Sequence, residues 1–160
     1  MDSTFTAEEH FRRGFEALSV DRSEVALQHF ASATRLDPGK ASYRSYYGLA
    51  LGLAERRLDR ALALCREAAK QEFFNPGHYH NLARLHLAFG FKSEAIRFLR
   101  RGLMIDPENR DINDHMRRLG VRRRPPLVFL RRQNVINRWA GRLLRRPRLD
   151  SDLEFSAFGA

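Results

Sequence analysis

The sequence has little of what anchors or cross-links many small proteins. Its 160 residues include one cysteine, Cys65, so no disulfide can form within the chain, which suits a reducing compartment. No apolar stretch approaches the length of a membrane span, and the amino terminus lacks the basic and apolar regions of a secretory signal. These absences predict a cytoplasmic protein whose core needs neither disulfides nor metal ions.

Lysine is also scarce, since the 29 basic residues include only Lys40, Lys70 and Lys92. The positive charge is concentrated late in the chain, where residues 115–149 contain twelve arginines and no acidic residue. The net charge of the whole chain is +10, so the remainder is close to neutral. This distribution predicts a nearly neutral body, residues 1–120, followed by a basic extension, residues 121–160.

A pattern of small and large residues recurs along the body. Two sets of four residues share the spacing 12, 4 and 8: Gly14, Ala26, Phe30 and Pro38, and then Ala83, Ala95, Leu99 and Pro107. The two prolines are 69 residues apart, which fits two periods of about 34 residues. A less regular set lies between them, Ala50, Ala61 and Cys65, with spacing 11 and 4. The middle copy is therefore expected to have a turn one residue shorter.

The spacing is helical. An interval of four residues places Ala26 and Phe30 on one helical face, where the small residue admits a neighbouring helix and the large one fills the gap. We therefore expect Ala26, Ala61 and Ala95 at buried helix crossings. Pro38 and Pro107 each predict the end of a helix, because proline lacks the N–H that a helix needs. A capping box, Thr6 with Glu9, predicts where the first helix begins.

Residues 7–109 resemble the tetratricopeptide repeat (TPR). The third copy carries the resemblance best, with Tyr79, Leu82 and Ala83 in its first helix and Gly90 in its turn. The resemblance implies an all-α fold, a right-handed superhelical stack of three helix-turn-helix units at about 7–40, 41–75 and 76–109. A capping helix at about 111–119 and a C-terminal amphipathic helix complete the expected architecture.

In that family the usual ligand site is the concave surface lined by the first helix of each pair. The resemblance implies a partner groove with these candidates: Phe11, Phe15 and Leu18; Arg44, Tyr47 and Leu51; and His80, Asn81, Arg84 and Leu87. Such an apolar, aromatic groove suits an amphipathic helix or an extended apolar peptide. The family's clamp for the terminal carboxylate of heat-shock chaperones needs lysine and asparagine where this chain has Phe11 and Phe15, so that ligand is not expected.

The basic extension contains a predicted amphipathic helix at about 135–146, begun by Asn134 and ended by Pro147. Its apolar face carries the anchor residues Val135, Ile136, Trp139 and Leu143. The candidate contact residues of the basic extension are Arg122, Arg123 and Arg124 before the helix and Arg138, Arg142, Arg145 and Arg146 within it. Three interpretations stay open: the helix docks on the repeats, binds an anionic membrane surface, or contacts nucleic acid.

No pattern predicts catalysis, a cofactor or a metal site. Gly48 and Gly52 fall inside a predicted helix, where they indicate close helix packing, not a phosphate-binding loop. The histidines at 78, 80 and 86 lack the spacing of four that presents two imidazoles to one metal. We therefore expect a non-catalytic adaptor that binds another protein and no small-molecule substrate. The alternative is a peripheral membrane or nucleic-acid-associated factor that acts through the arginine-rich helix.

Overall fold

The computed structural model describes residues 5–120, and within this range the chain forms helices and no β-strand. Seven helices follow one another: α1 (Ala7–Ser19), α2 (Ser23–Leu36), α3 (Ala41–Ala54), α4 (Leu58–Gln71), α5 (Pro76–Ala88), α6 (Lys92–Ile105) and α7 (Arg110–Arg118). The all-α prediction is thereby confirmed. The basic residues of the extension and the predicted helix at 135–146, with Trp139, lie outside the described residues.

Side-chain caps fix the beginnings of three helices. Thr6 Oγ1 accepts a hydrogen bond from the backbone N–H of Glu9, and the Glu9 carboxylate accepts one from the N–H of Thr6. This reciprocal pair is the predicted capping box. Asn75 and Asn109 cap α5 and α7 by accepting from backbone N–H groups of the first turn.

The predicted prolines follow the ends of two second helices. α2 ends at Leu36 and α6 at Ile105, two residues before Pro38 and Pro107 respectively. Four residues separate each pair from the helix that follows it: 37–40, 72–75 and 106–109.

The turn inside each pair is three residues long: 20–22, 55–57 and 89–91. Its middle residue has a left-handed backbone, with φ of 58° at Asp21, 58° at Arg56 and 84° at Gly90. The expectation of a shorter turn in the middle copy is therefore wrong. The middle copy differs from the other two in its first helix instead, because α3 has 14 residues and α1 and α5 have 13. Counted back from the turn, Leu49 and not Ala50 takes the place that Gly14 and Ala83 hold.

The core of each pair follows the predicted pattern. Ala26, Ala61 and Ala95 are fully buried at the helix crossings. The residues one turn further on, Phe30, Cys65 and Leu99, are fully buried as well. The repeat of a small residue followed by a larger one therefore builds three equivalent cores.

Two glycines let α3 approach its neighbours. A Cβ atom at Gly48 would lie 2.9 Å from both the carbonyl oxygen of Ala61 and Cys65 Sγ. A Cβ atom at Gly52 would overlap the side chain of Leu85 on α5. The prediction that these glycines serve close helix packing is confirmed.

The helices pack chiefly against near neighbours in the sequence. α1 contacts α2, α2 contacts α3, α3 contacts both α4 and α5, α4 contacts α5, and α5 contacts α6. α7 packs on α6, where a Cβ atom at Gly102 would overlap the buried side chain of Ile112. α7 therefore occupies the place expected for the capping helix.

Candidate functional site

The first helices of the pairs lie side by side. Phe11 and Phe15 on α1 contact Tyr46 on α3, with ring centroids 5.2 and 5.5 Å apart. α3 packs on α5, and His80 Nε2 on α5 lies 3.0 Å from His115 Nδ1 on α7. These contacts define one surface built from α1, α3, α5 and α7, called the first-helix surface below.

The α1 end of the first-helix surface is aromatic. Phe11 packs against both Tyr43 and the buried ring of Phe30, and Tyr46 contacts Phe30 as well. Phe15 rests on Tyr46 and keeps 49% of its surface exposed. Burial raises the pKa of Tyr46, so its hydroxyl stays neutral and can donate a hydrogen bond. This end therefore offers an exposed aromatic ring on a firmly packed base.

Arg84 brings a positive charge to the α5 part of the first-helix surface. It is half-buried, and no described residue forms a hydrogen bond or an ion pair with it. Burial lowers the pKa of Arg84, while Tyr46, Asp21 and Asp111 act in the opposite direction. An arginine remains protonated under these conditions, so Arg84 keeps a charge and several unused donors.

The two histidines beside Arg84 are neutral near pH 7. Burial, Arg84 and His115 lower the pKa of His80 to about 4. Burial, Arg84 and Arg118 lower the pKa of His115 as well. One ring of the pair therefore donates its N–H to the other. The positive charge of this region at neutral pH comes from Arg84 and not from the imidazoles.

The predicted groove residues of α1 and α5 differ in how far their side chains are exposed. Phe15 is exposed, and Phe11, His80, Arg84 and Leu87 are half-buried on the first-helix surface.

Two predicted positions need correction. Leu18 lies in the core, and Asn81 is fully buried and donates from Nδ2 to Ser45 Oγ at 3.1 Å. Both side chains hold α1 and α5 in the stack and are not open to a partner.

Two of the three predicted groove residues of α3, Arg44 and Leu51, are also corrected. Arg44 donates to Gln71 Oε1 on α4 and to the carbonyl oxygen of Pro38, so its guanidinium faces α4 and the preceding turn. Leu51 is only 2% exposed, and Tyr47 is half-buried against the core. Tyr46, one residue earlier, is half-buried as well and contacts Phe11 and Phe15 of α1.

The shift of one residue on α3 has a simple origin. The pattern of small residues aligns Ala50 with Gly14, whereas the equal lengths of the turns align Leu49 with Gly14. Keeping the 12-residue interval before Ala61, as in the other two copies, would have identified Leu49 and hence Tyr46. His115, on α7, was missed because no repeat pattern extends to the capping helix.

The described residues hold no arrangement suited to nucleophilic or metal chemistry. Cys65 is fully buried and donates to the carbonyl oxygen of Ser45, and burial raises the pKa of its thiol to about 12. No group of three or more histidine, cysteine, aspartate or glutamate side chains could hold a metal ion within residues 5–120. In the same range, no helix is long and apolar enough to cross a membrane.

Comparison with known proteins identifies the fold. No protein-family model and no curated protein matches the sequence. Among solved structures, YrrB, a TPR protein with an unusual peptide-binding site, matches with a TM-score of 0.56 and 17% identity over 72% of this chain. That match spans 59% of the YrrB chain, so this chain corresponds to little more than half of it.

Two further structures resemble the chain to a similar degree. The Arabidopsis OM64 TPR domain has a TM-score of 0.55 and 20% identity, over 71% of this chain and 93% of its own. The first TPR of Spaghetti (RPAP3), bound to the HSP90 peptide SRMEEVD, has a TM-score of 0.55 and 16% identity, over 72% and 90%. The TM-scores show a shared fold, and at identities this low the likeness is one of fold alone.

Proposed function

We propose that this chain, whose described residues form a superhelical stack of tetratricopeptide repeats, is a non-catalytic adaptor that binds a partner peptide or helix on its first-helix surface. The observation that carries the proposal is Arg84, a half-buried cation without a hydrogen-bond or ion-pair partner among the described residues. Partial burial of an unpaired charge costs free energy, and a ligand with an acidic group would offset that cost. The exposed ring of Phe15, farther along the same surface, adds an apolar contact.

The chemistry of the surface suggests the chemistry of the partner. A carboxylate can accept two parallel hydrogen bonds from the Arg84 guanidinium, and an apolar side chain can pack on Phe15 and Tyr46. The partner is therefore a peptide or helix with an acidic group and an apolar residue on one side. Among the solved structures with this fold, YrrB has a peptide-binding site and the first TPR of Spaghetti is bound to a peptide, which supports a protein partner in general.

Selection from a peptide display library tests the proposal. Peptides selected on the full chain should carry an acidic residue or use their terminal carboxylate. Arg84→Gln should weaken their binding by at least about tenfold, because a hydrogen bond to a charged group contributes about 1.5–3 kcal/mol. Phe15→Ser should weaken it to a similar degree, since exposed aromatic anchors carry much of an interface's energy.

The matched control is Arg66→Gln, which removes an exposed arginine from α4, a second helix. Circular dichroism establishes that each variant keeps its helices. Full binding by the folded Arg84→Gln and Phe15→Ser variants would show that the ligand sits elsewhere.

The arginine-rich extension offers a second site on the same protein. Residues 115–149 contain twelve arginines and no acidic residue, which favours an anionic partner, either a membrane surface or a nucleic acid. We place the adaptor in the cytoplasm, in keeping with its single, buried cysteine. Binding that survives deletion of residues 121–160 belongs to the repeats, and binding lost with them belongs to the extension.

A further inference from the structure

The turn between α4 and α5 presents two aromatic side chains to solvent. Phe73 and Phe74 are 67% and 64% exposed, and their rings meet edge to face with centroids 5.6 Å apart. The equivalent turns carry Pro38 with Gly39 and Pro107 with Glu108 in these places. The fold therefore does not require aromatic residues here, and an exposed aromatic pair indicates a contact with something outside the stack.

The turn is firmly held although its rings are exposed. Tyr79 Oη donates to the carbonyl oxygen of Phe73 at 3.0 Å. The Glu72 carboxylate accepts from Asn75 Nδ2 and lies 3.0 Å from His78 Nε2. A rigid turn loses little conformational entropy when its side chains bind, which favours docking. The acidic residue of the turn is meanwhile engaged within the protein.

Positive charges flank the turn. Lys70 is exposed in the last turn of α4. The Arg101 guanidinium lies 5.0 Å from the ring centre of Tyr79, whose hydroxyl donates to Phe73. Three more exposed arginines lie on α4 and α6: Arg66, Arg97 and Arg100. Within residues 5–120, none of these five cations has a carboxylate partner. The surface thus combines protruding apolar rings with unpaired positive charge.

We propose that this turn, Phe73 and Phe74 with Lys70 and Arg101, docks on the surface of an anionic lipid bilayer. Apolar rings on a protruding turn can enter the boundary between headgroups and acyl chains, and the cations beside them then meet anionic headgroups. The surface lies at the tip between two pairs and shares no residue with the first-helix surface. The adaptor would then hold its partner peptide at a membrane.

Flotation of the full chain with two kinds of vesicle tests the proposal. The chain should bind vesicles of phosphatidylcholine and phosphatidylserine and should bind phosphatidylcholine alone much more weakly. Because the arginine-rich extension is also a candidate for binding anionic vesicles, the comparison is made between full-length variants. Phe73→Ser with Phe74→Ser should lower the partition coefficient at least about tenfold, since two large apolar side chains no longer enter the interface.

Two further double variants complete the test. Lys70→Gln with Arg101→Gln should lower the partition coefficient about fivefold for each charge removed. The control, Val20→Ser with Val25→Ser, removes two exposed apolar side chains, one in the turn between α1 and α2 and one at the start of α2, and should bind like the wild type. Equal partition of the wild type and the phenylalanine double variant would overturn the proposal.

A local probe separates the turn from the extension. Phe73→Trp in a Trp139→Phe background places the sole tryptophan of the chain in the turn. Its emission should shift to the blue when vesicles containing phosphatidylserine are added. An unshifted emission, even if the chain as a whole floats with the vesicles, would refute membrane docking by this turn and favour a protein surface as its partner.

Discussion

Acidification should destabilise the stack through His80. In the folded chain burial, Arg84 and His115 hold the pKa of His80 at about 4, against 6.5 for a free imidazole. Between these two values the unfolded chain binds a proton that the folded chain does not. The His80 contribution to stability is therefore fully present above pH 6.5 and is lost as the pH falls towards 4.

The magnitude follows from the two pKa values. One pKa unit corresponds to about 1.4 kcal/mol, so the full loss is about 3 kcal/mol and the loss at about pH 5 is about 2 kcal/mol. Burial also lowers the pKa of His29, His86 and His115, so they act in the same direction. The wild type should therefore lose more than the His80 contribution alone.

Urea unfolding, followed by circular dichroism at about pH 7.5 and about pH 5, isolates that contribution. His80→Gln keeps a hydrogen-bonding side chain but does not titrate, so its unfolding free energy should fall by about 2 kcal/mol less than that of the wild type. Leu87→Ala, on the same helix, is the control and should lose as much as the wild type on acidification. Equal losses in the wild type and His80→Gln would refute the reasoning.

Three other substitutions or measurements have defined outcomes. His86 is 7% exposed, and both its ring nitrogens lack a hydrogen-bond partner within residues 5–120. His86→Leu should therefore raise the unfolding free energy by about 1 kcal/mol. A decrease would mean that the stacking of His86 on Phe98 contributes more than the unpaired nitrogens cost. Ala95→Leu should lower it by about 1–3 kcal/mol, and an unchanged melting temperature would contradict a buried crossing at that residue. If residues 135–146 dock on the repeats, acrylamide quenches Trp139 weakly and deletion of residues 121–160 lowers the melting temperature; strong quenching with unchanged stability would exclude docking.

The sequence predicts the fold well because helix crossings constrain residue size. Ala26 and Ala95 must be small, and the prolines at 38 and 107 must follow the helices, so the pattern survives with little sequence similarity. The residues that face one another across pairs are harder to predict. His80 and His115 are 35 residues apart, and only the packing of α7 brings them together.

The candidate site is least predictable in the middle pair. Cys65 replaces the large residue of the pattern, and Phe73 stands where the other pairs have proline, so few markers fix the register. Ala50, a small residue next to Leu49, fits the pattern one position too late. The predicted face of α3 therefore includes Arg44, which contacts α4. The exposure of Phe73 and Phe74 depends on how the turn folds, which composition does not indicate.

The packing of each helix on its near neighbours has a consequence for how the stack opens. An outer helix can detach while the interfaces beyond it stay closed, so local opening should begin at α1 or α7 and advance inwards. Backbone amides of α3 and α4 should accordingly exchange with solvent deuterium last. A partner that spans Phe15 on α1 and Arg84 on α5 would bridge several interfaces at once and slow exchange at the amino-terminal end as well.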